Sequence, residues 1–267
     1  MSYLSFICCS SPLKHCKSGL TTLFLTLSFG ISPMAIFRHA TFEISAAKPS
    51  GLPPSLGAEI AFAGRSNAGK SSAINTLVGH TRLAFVSKTP GRTQLINVFR
   101  MRNGAALVDL PGYGFAQVPL AVRLQWQGLL EEYLIRRTNL TGLVLIMDSR
   151  RPLTELDWKM VGWFAPTGRP IHCLLTKSDK LSRQAQAEAL RDTRAALAEA
   201  FPVYSQGITV QLFSSLKKTG MDEVERIVGG WLNTVQLSAA EGVEMQGALV
   251  ESERAEEDKK SPRQPGK

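Results

Sequence analysis

The chain has 267 residues, enough for one large α/β domain or two small domains with a sizeable core. Hydrophobic residues make up 44% of it and charged residues 20%, which excludes a wholly disordered chain, a collagen and a coiled coil. The net charge is +9, and because the contributions of 1–33 and 238–267 cancel, the basic excess lies in residues 34–237. This predicts a polyanionic partner, and the alternative is charge kept only for solubility.

The N-terminal segment, residues 1–33, allows two interpretations. Lys14 and Lys17 precede a mildly apolar stretch, Leu20 to Ile31, as in a secretory signal. We favour the alternative, in which translation begins at Met34 and the upstream residues are a non-native extension. At the other end, 238–267 has no aromatic residue and is rich in charged and small residues, so we expect a disordered tail.

Between these ends, short apolar runs alternate with amphipathic segments, which is typical of β-strands separated by α-helices. The predicted strands are Glu59–Ala63, Leu95–Met101, Ala105–Asp109, Leu143–Asp148, Ile171–Thr176 and Thr209–Phe213. The predicted helices are Lys70–Val78, Pro119–Arg137, Leu153–Phe164, Arg183–Ala200 and Met221–Val235.

Nearly all-apolar strands that alternate with helices indicate a parallel sheet covered on both faces. Only the two strands around Asn103-Gly104 lack a helix between them, and Asn-Gly favours a hairpin. We therefore predict an α/β fold: a doubly wound, mostly parallel six-stranded sheet with one antiparallel edge strand. No transmembrane span is expected, because no 18 apolar residues occur in succession. Residues 34–237 are predicted to form a single domain.

The first strand-to-helix junction reads Gly64-Arg-Ser-Asn-Ala-Gly-Lys-Ser71, which fits GxxxxGK followed by Ser or Thr. Its glycines allow the backbone to curl, so that successive N–H groups and the helix start face phosphate oxygens. Lys70 would neutralise phosphate charge, and the Ser71 hydroxyl is a candidate Mg²⁺ ligand. The alternative is an ordinary glycine-rich turn.

Three further junctions follow later strands. Asp109-Leu-Pro-Gly112 offers a carboxylate near the metal and an N–H that can contact a γ-phosphate. Thr176-Lys-Ser-Asp179 offers a carboxylate that can accept from the ring N–H and exocyclic amine of guanine, a donor pair that adenine lacks. The Lys177 stem can lie along the base. Phe213-Ser-Ser215 is placed where backbone amides can contact the guanine oxygen.

The long polar loop from His80 to Gln94 carries Thr89 and Thr93. A threonine that caps the magnesium only when a γ-phosphate is present makes such a loop a switch. The alternative is an ordinary connection, although structureless loops of this length are usually functional or disordered.

Taken together, GRSNAGKS, SKTPGRTQLIN, DLPGYGFA, TKSDK and FSSLKKTG resemble the EngB family (also called YsxC or YihA) of ribosome-biogenesis GTP-binding proteins. The resemblance covers about residues 40–235. It implies a cytoplasmic, Mg²⁺-dependent GTPase that binds GTP and GDP, assists assembly of the large ribosomal subunit, and is linked to cell division and septation. A nucleoside triphosphatase is misplaced outside the cell, which is why we favour translation from Met34. The N-terminal extension and the acidic tail depart from the family.

By motif, the resemblance implies a set of nucleotide-binding, metal-binding and catalytic residues. The nucleotide-binding residues are Gly64, Arg65, Ser66, Asn67, Ala68, Gly69, Lys70, Ser71, Gly91, Arg92, Thr93, Gln94, Leu95, Asp109, Leu110, Pro111, Gly112, Thr176, Lys177, Ser178, Asp179, Phe213, Ser214 and Ser215. The metal ligands are Ser71 and Thr93, and the catalytic residues are Lys70, Thr93 and Gly112.

Two residues set expectations for the rate of hydrolysis. Tyr113 stands after DLPG, where many GTPases have a water-orienting glutamine, so intrinsic hydrolysis should be slow. Asn67 resembles the asparagine by which related GTPases hold K⁺, and the alternative is a residue chosen for loop backbone angles. Mg²⁺ is therefore the expected cofactor and K⁺ a second candidate.

The expected partner is the large ribosomal subunit or its rRNA, with no DNA partner, and the chain is expected to be a monomer. The cations that favour an RNA surface are Arg82, Lys88, Arg92, Arg136, Arg137, Arg150 and Arg151. Two alternatives stay open: a GTP-dependent binding module whose hydrolysis is incidental, and a membrane-tethered GTPase that retains residues 1–33.

Overall fold

In the computed structural model, which describes residues 37–53, 57–80, 83–84, 95–114 and 120–232, strands and helices alternate along the chain. The strands are β1 (Thr41–Ala46), β2 (Glu59–Gly64), β3 (Ile96–Arg100), β4 (Ala106–Asp109), β5 (Leu140–Asp148), β6 (Ile171–Thr176) and β7 (Ile208–Leu212). The helices are α1 (Lys70–Val78), α2 (Leu120–Arg136), α3 (Glu155–Phe164) and α4 (Arg183–Ala200), and α5 begins at 221 and is described as far as 232.

The described strands form one sheet in the order β1-β3-β4-β2-β5-β6-β7. β4, β2, β5, β6 and β7 pair in parallel, whereas β3 pairs antiparallel with both of its neighbours. Every residue of β2, β4 and β6 is buried, as expected for parallel strands with helices on both faces. The predicted fold class is confirmed.

β1 is a seventh strand that the sequence analysis did not predict. It pairs with the outer side of β3. We expected the antiparallel strand β3 at the edge of the sheet, and instead β1 lies at that edge. β1 is half-exposed, and its pairing with β3 shifts register between Phe42 and Ile44. A half-exposed edge strand with a bulge lacks the continuous apolar run by which the central strands were recognised.

The core lies in two layers, one on each face of the sheet. Side chains of α2, α3 and α4 pack against one face, around Tyr133, Phe164 and Leu197. Side chains of α1 and α5 pack against the other face, around Ile74 and Val228. The carboxyl ends of the parallel strands therefore meet at one edge, between two helix layers.

A buried ion pair joins the end of α2 to the start of β2, at the amino ends of the parallel strands. Glu59 is 2% exposed and accepts from Arg137 at 2.6 and 2.9 Å and from the Tyr133 hydroxyl at 3.1 Å. Arg137 also donates to the carbonyl of Pro53. We expected Arg137 to face RNA, and that expectation is wrong because Glu59 holds its guanidinium within the fold. Arg136, one residue earlier, is exposed.

The described residues all belong to one compact unit. Among the described helices, none is both long enough and apolar enough to cross a membrane.

Candidate nucleotide site

The loop between β2 and α1 holds the first motif, and two of its glycines are required by geometry. A Cβ on Gly64 would lie 2.7 Å from the carbonyl oxygen of Ile146, so only glycine allows β2 to approach β5 this closely. Gly69 has φ +102°, in the left-handed region that favours glycine, and immediately precedes α1. These two positions allow the loop to turn from the strand into the helix.

The start of α1 offers backbone N–H groups without partners inside the helix. Ala73 N donates to Gly69 O, so the N–H groups of Lys70, Ser71 and Ser72 precede the first bond of the helix. Further back, Ala68 N donates to Arg65 O, which closes the curl of the loop. Free N–H groups and the positive end of the helix dipole form a site suited to phosphate oxygens.

The end of β4 brings Asp109 against this loop. Asp109 is 4% exposed, and its Oδ1 accepts from Lys70 Nζ. Asp109 pairs in register with Phe62 of β2, which places the carboxylate beside the start of the loop. Ser71, one residue after Lys70, adds a hydroxyl at the helix start. Carboxylate and hydroxyl oxygens are the donors that Mg²⁺ prefers.

The fit of this edge to a nucleotide and its metal is also indicated by Ser66. Its Oγ is buried and has no hydrogen-bond partner among the described residues. A Cβ on Gly112 would lie 3.1 Å from this Oγ, so the DLPG loop passes directly over Ser66. A buried hydroxyl without a partner costs free energy, and a phosphate oxygen or bound water beside Gly112 would satisfy it. The residues present therefore fit an Mg²⁺–phosphate group.

Tyr113, directly after DLPG, links this loop to two other elements. Its carbonyl accepts from Ser66 N at 2.8 Å, which continues the β2–β4 pairing into the phosphate loop. Its side chain is 5% exposed, and its hydroxyl donates to Asp157 Oδ1 at 2.6 Å. Burial, followed by the charge of Asp157, raises the pKa of Tyr113 well above its ordinary value. The Tyr113 side chain is therefore held by α3, in the core layer that α2, α3 and α4 form.

Thr176 and Lys177 attach the end of β6 to the phosphate loop. Thr176 Oγ1 donates to Ala68 O. Lys177 has φ +57°, and its Nζ donates to Asn67 O at 2.5 Å and to Asp148 Oδ2 at 3.0 Å. Because the ammonium group is held by the loop carbonyl, the Lys177 side chain reaches from the end of β6 to the phosphate loop.

Asp148, which ends β5 and organises this part of the site, was not among the predicted site residues. Arg150 donates to both of its oxygens, at 2.9 and 2.7 Å. The hydrogen bond from Arg150, more than that from Lys177, holds the pKa of Asp148 well below its usual range. An acidic residue at the carboxyl end of a buried strand was the available signal. Asp148 accepts a hydrogen bond from Lys177, and Lys177 donates to the phosphate loop at Asn67 O.

The loops that follow β6 and β7, for which base recognition is predicted, contact each other. Ser214 Oγ donates to Asp179 Oδ1 at 2.6 Å, and this bond is the main reason that the pKa of Asp179 is lowered. Ser178 N donates to Phe213 O at 3.2 Å, which joins the two loops. The Phe213 side chain is fully buried, so Phe213 can offer a nucleotide only its backbone, as the prediction for this loop requires.

Part of the predicted site lies outside the described residues. These are Gly91, Arg92, Thr93 and Gln94, together with the cations Arg82 and Lys88. Leu95 is half-buried just before β3. The start of the predicted switch loop is anchored to α1, since Asn75 exchanges two hydrogen bonds with the backbone of Ala84, at 2.7 and 3.0 Å.

Comparisons with known proteins identify the family of this chain. The family profile described as "50S ribosome-binding GTPase" matches residues 59–177. A protein of Azoarcus sp. (strain BH72) named "Probable GTP-binding protein EngB" is 65% identical over 215 residues, which cover 80% of this chain and all of the relative. A protein of the same name from Neisseria meningitidis serogroup B is 55% identical over 209 residues, covering 78% of this chain and 98% of the relative.

The fold is also similar to that of a crystal structure titled as a probable GTP-binding protein engB. That structure has a TM-score of 0.53 and 22% sequence identity, and the match covers 66% of this chain and all of the other. At this identity the likeness shows the fold alone. The family itself is shown by the relatives that share more than half of their residues with this chain over nearly their whole length. The chain belongs to the EngB family of GTP-binding proteins and has the P-loop GTPase fold.

Proposed function

We propose that this chain is a Mg²⁺-dependent GTPase whose GTP and GDP states switch its association with the assembling large ribosomal subunit. The observation that carries the proposal is the meeting, at one sheet edge, of a phosphate loop, a buried Asp109 and the Asp179–Ser214 pair. The family profile's description supports the ribosomal partner. A role in cell division and septation, a cytoplasmic location and a monomeric state complete the proposal.

The phosphates would lie in the loop from Gly64 to Ser71, against the free N–H groups of the α1 start. Lys70 sits between Asp109 and the loop, where its charge offsets that of the β- and γ-phosphates. Ser71 and Thr93 would ligate Mg²⁺, with Asp109 held close by. Bound there, Mg²⁺ supplies charge neutralisation to the phosphates during hydrolysis.

Base selection would rest on Asp179. Ser214 occupies its Oδ1 through one of that oxygen's lone pairs and fixes the carboxylate plane. The remaining acceptor capacity matches the ring N–H and amine of guanine, whereas adenine would leave these acceptors unsatisfied. The Ser178–Phe213 backbone bond holds the second loop, which contains Ser215, beside the Asp179 loop, and the backbone amides there would contact the guanine oxygen.

Hydrolysis would be slow without a partner. The Tyr113 side chain is committed to Asp157 within the core, so it cannot hold a water in the site, and no amide side chain occupies that position. Gly112 remains the candidate sensor of the γ-phosphate, because its backbone passes over Ser66 in the phosphate loop. Ordering of the loop that contains Thr93 would report the γ-phosphate to a partner.

K⁺ is a candidate second cation, next to Asn67. The backbone of Asn67 has φ +65°, the left-handed region in which asparagine is favoured, so loop geometry by itself accounts for this residue. Its side chain lines the pocket beside the loop and is available to a cation there.

The RNA-facing surface would include the rim of that pocket. The pocket has a volume of about 400 Å³, lies beside the phosphate loop, and is lined in part by Arg65, Arg150 and Arg151. Arg150 is partly neutralised by Asp148, while Arg65 and Arg151 are exposed. Four cations, Arg65, Arg150, Arg151 and Lys177, outnumber the two carboxylates of the pocket, Asp148 and Asp157, so the pocket presents net positive charge to phosphate groups.

Single-turnover GTP hydrolysis, measured with Mg²⁺ and with EDTA, in the presence and absence of large-subunit particles, tests the proposal. We expect slow Mg²⁺-dependent hydrolysis by the protein alone and at least about tenfold acceleration by the particles. Hydrolysis that is unaffected by particles to which the protein binds would contradict the switch and favour a binding module with incidental hydrolysis.

A further inference from the structure

A pair of buried polar side chains lies in the core between β6 and β7. His172 is fully buried and Gln211 is 2% exposed, on the face of the sheet that is covered by α1 and α5. His172 Nε2 lies 2.8 Å from Gln211 Oε1, and Nδ1 lies 2.7 Å from Thr209 Oγ1. Polar residues are costly in such strands unless all their hydrogen bonds are made, so this pair calls for a reason.

The chemistry of the pair fixes its orientation. Burial lowers the pKa of His172 to about 4, so the imidazole is neutral at neutral pH. The Gln211 Oε1 atom can only accept, and therefore His172 Nε2 carries the proton and Nδ1 accepts from the Thr209 hydroxyl. The amide of Gln211 is thereby held with its Nε2 facing the other way.

The Gln211 Nε2 atom donates to the carbonyl of Gly220 at 2.8 Å and to that of Leu212 at 3.3 Å. Gly220 O also accepts from Val224 N, so it is the point at which α5 starts. A Cβ on Gly220 would lie 2.4 Å from Leu212 O and 2.6 Å from Gln211 Nε2, and its φ is +79°. The Gln211 side chain therefore links the end of β7 to the start of α5 by hydrogen bonds.

The segment between these two points, residues 214–219, contains the residue that orients Asp179. Ser214 and Thr219 exchange two backbone hydrogen bonds of 3.1 Å, which close the segment into a loop. The Ser214 hydroxyl accepts from Lys217 N and donates to Asp179 Oδ1. The Gln211 side chain therefore fixes the backbone at Gly220. The preceding residue, Thr219, is hydrogen-bonded to the backbone of Ser214, so Gln211 also restrains Ser214.

We propose that Gln211, oriented by His172, is a positioning residue for guanine recognition: it fixes the loop from which Ser214 aims the Asp179 carboxylate. The inference rests on the proposed role of Asp179 in base recognition. It predicts that loss of the Gln211 amide affects the contact to the base more than the contacts to the phosphates.

The test compares the affinities for GDP and for inosine diphosphate, which lacks the exocyclic amine of guanine. We expect the wild-type protein to bind GDP about tenfold or more tightly than inosine diphosphate. Gln211→Met keeps the side-chain volume and removes both hydrogen-bonding functions. It should weaken GDP binding about tenfold and reduce the preference for GDP about threefold or more.

Val228→Ala is the matched control, because Val228 is fully buried on α5 in the same core layer but has no hydrogen-bonding side chain. It should lower the melting temperature and leave the preference for GDP unchanged. If Gln211→Met does not fold, Thr209→Val replaces it, since Thr209 is exposed and its loss leaves the imidazole with only its hydrogen bond to Gln211, which weakens the orientation of that pair. A smaller reduction of the preference is expected there.

The outcomes separate the two levels of the argument. No preference for GDP in the wild-type protein would overturn the proposed base recognition, and with it this inference. A wild-type preference that persists in the folded Gln211→Met variant, or in Thr209→Val where the former fails to fold, would overturn the positioning role alone.

Discussion

Replacing Tyr113 by Phe removes one hydroxyl from the junction between the DLPG loop and α3. Asp157 is 1% exposed, and its Oδ1 would lose the donor that lies 2.6 Å away. Its Oδ2 would keep the Thr154 N and Oγ1 donors, at 2.8 and 2.7 Å. Leaving one buried acceptor atom without a partner costs about 1–3 kcal/mol of unfolding free energy. For a domain of this size, a loss of about 2 kcal/mol lowers the melting temperature by about 4–8 °C.

Thermal unfolding followed by circular dichroism measures this loss, and Tyr204→Phe, at the half-buried edge of the core, serves as the matched control. Single-turnover hydrolysis by Tyr113→Phe should stay within about threefold of the wild-type rate, since the hydroxyl faces Asp157 and takes no part in phosphate chemistry. An unchanged melting temperature combined with a large loss of hydrolysis would refute this account, because it would place the Tyr113 hydroxyl in the reaction.

Three other outcomes are expected. Asp179→Asn should weaken GTP binding about 30-fold or more, because it removes the carboxylate that accepts from guanine; an unchanged preference for GTP over ATP in a competition titration would exclude this role. Turnover by the purified protein should be slow in sodium and rise when potassium replaces it at constant ionic strength; fast turnover in sodium alone would contradict both expectations. The pKa of His172 is about 4 in the folded protein and 6.5 in the unfolded chain, so between these pH values the proton binds mainly to the unfolded chain. The contribution of His172 to stability is therefore complete above pH 6.5 and is lost as the pH falls toward 4. By pH 4.5 the loss is about 2–3 kcal/mol, and denaturant titrations should show a flatter pH profile for His172→Gln than for the wild-type protein.

The central strands and the motifs at their ends could be predicted from the sequence. Buried parallel strands are continuous apolar runs, and the phosphate loop is defined by local spacing between Gly64 and Ser71. Asp179 and Ser214 were each predicted as site residues, and the structure adds the hydrogen bond between them.

What the sequence did not predict depends on contacts between distant residues. β1 is half-exposed and bulged, so only the alternation of Phe42, Ile44 and Ala46 indicated it. The direction of the Tyr113 ring is set by Asp157, 44 residues away. The Arg137 guanidinium is held within the fold by Glu59, 78 residues away.

The most direct test of the account is co-sedimentation of the full chain with large-subunit particles, in a non-hydrolysable GTP analogue and in GDP, at salt concentrations between about 50 and 200 mM. The basic body and the exposed rim of Arg65 and Arg151 predict binding that weakens steeply with salt. The nucleotide switch predicts that the GTP-analogue form pellets with the particles at moderate salt, whereas the GDP form stays largely in the supernatant. Equal pelleting in both nucleotides, or none in either, would contradict the proposal that this chain is a ribosome-coupled GTPase switch.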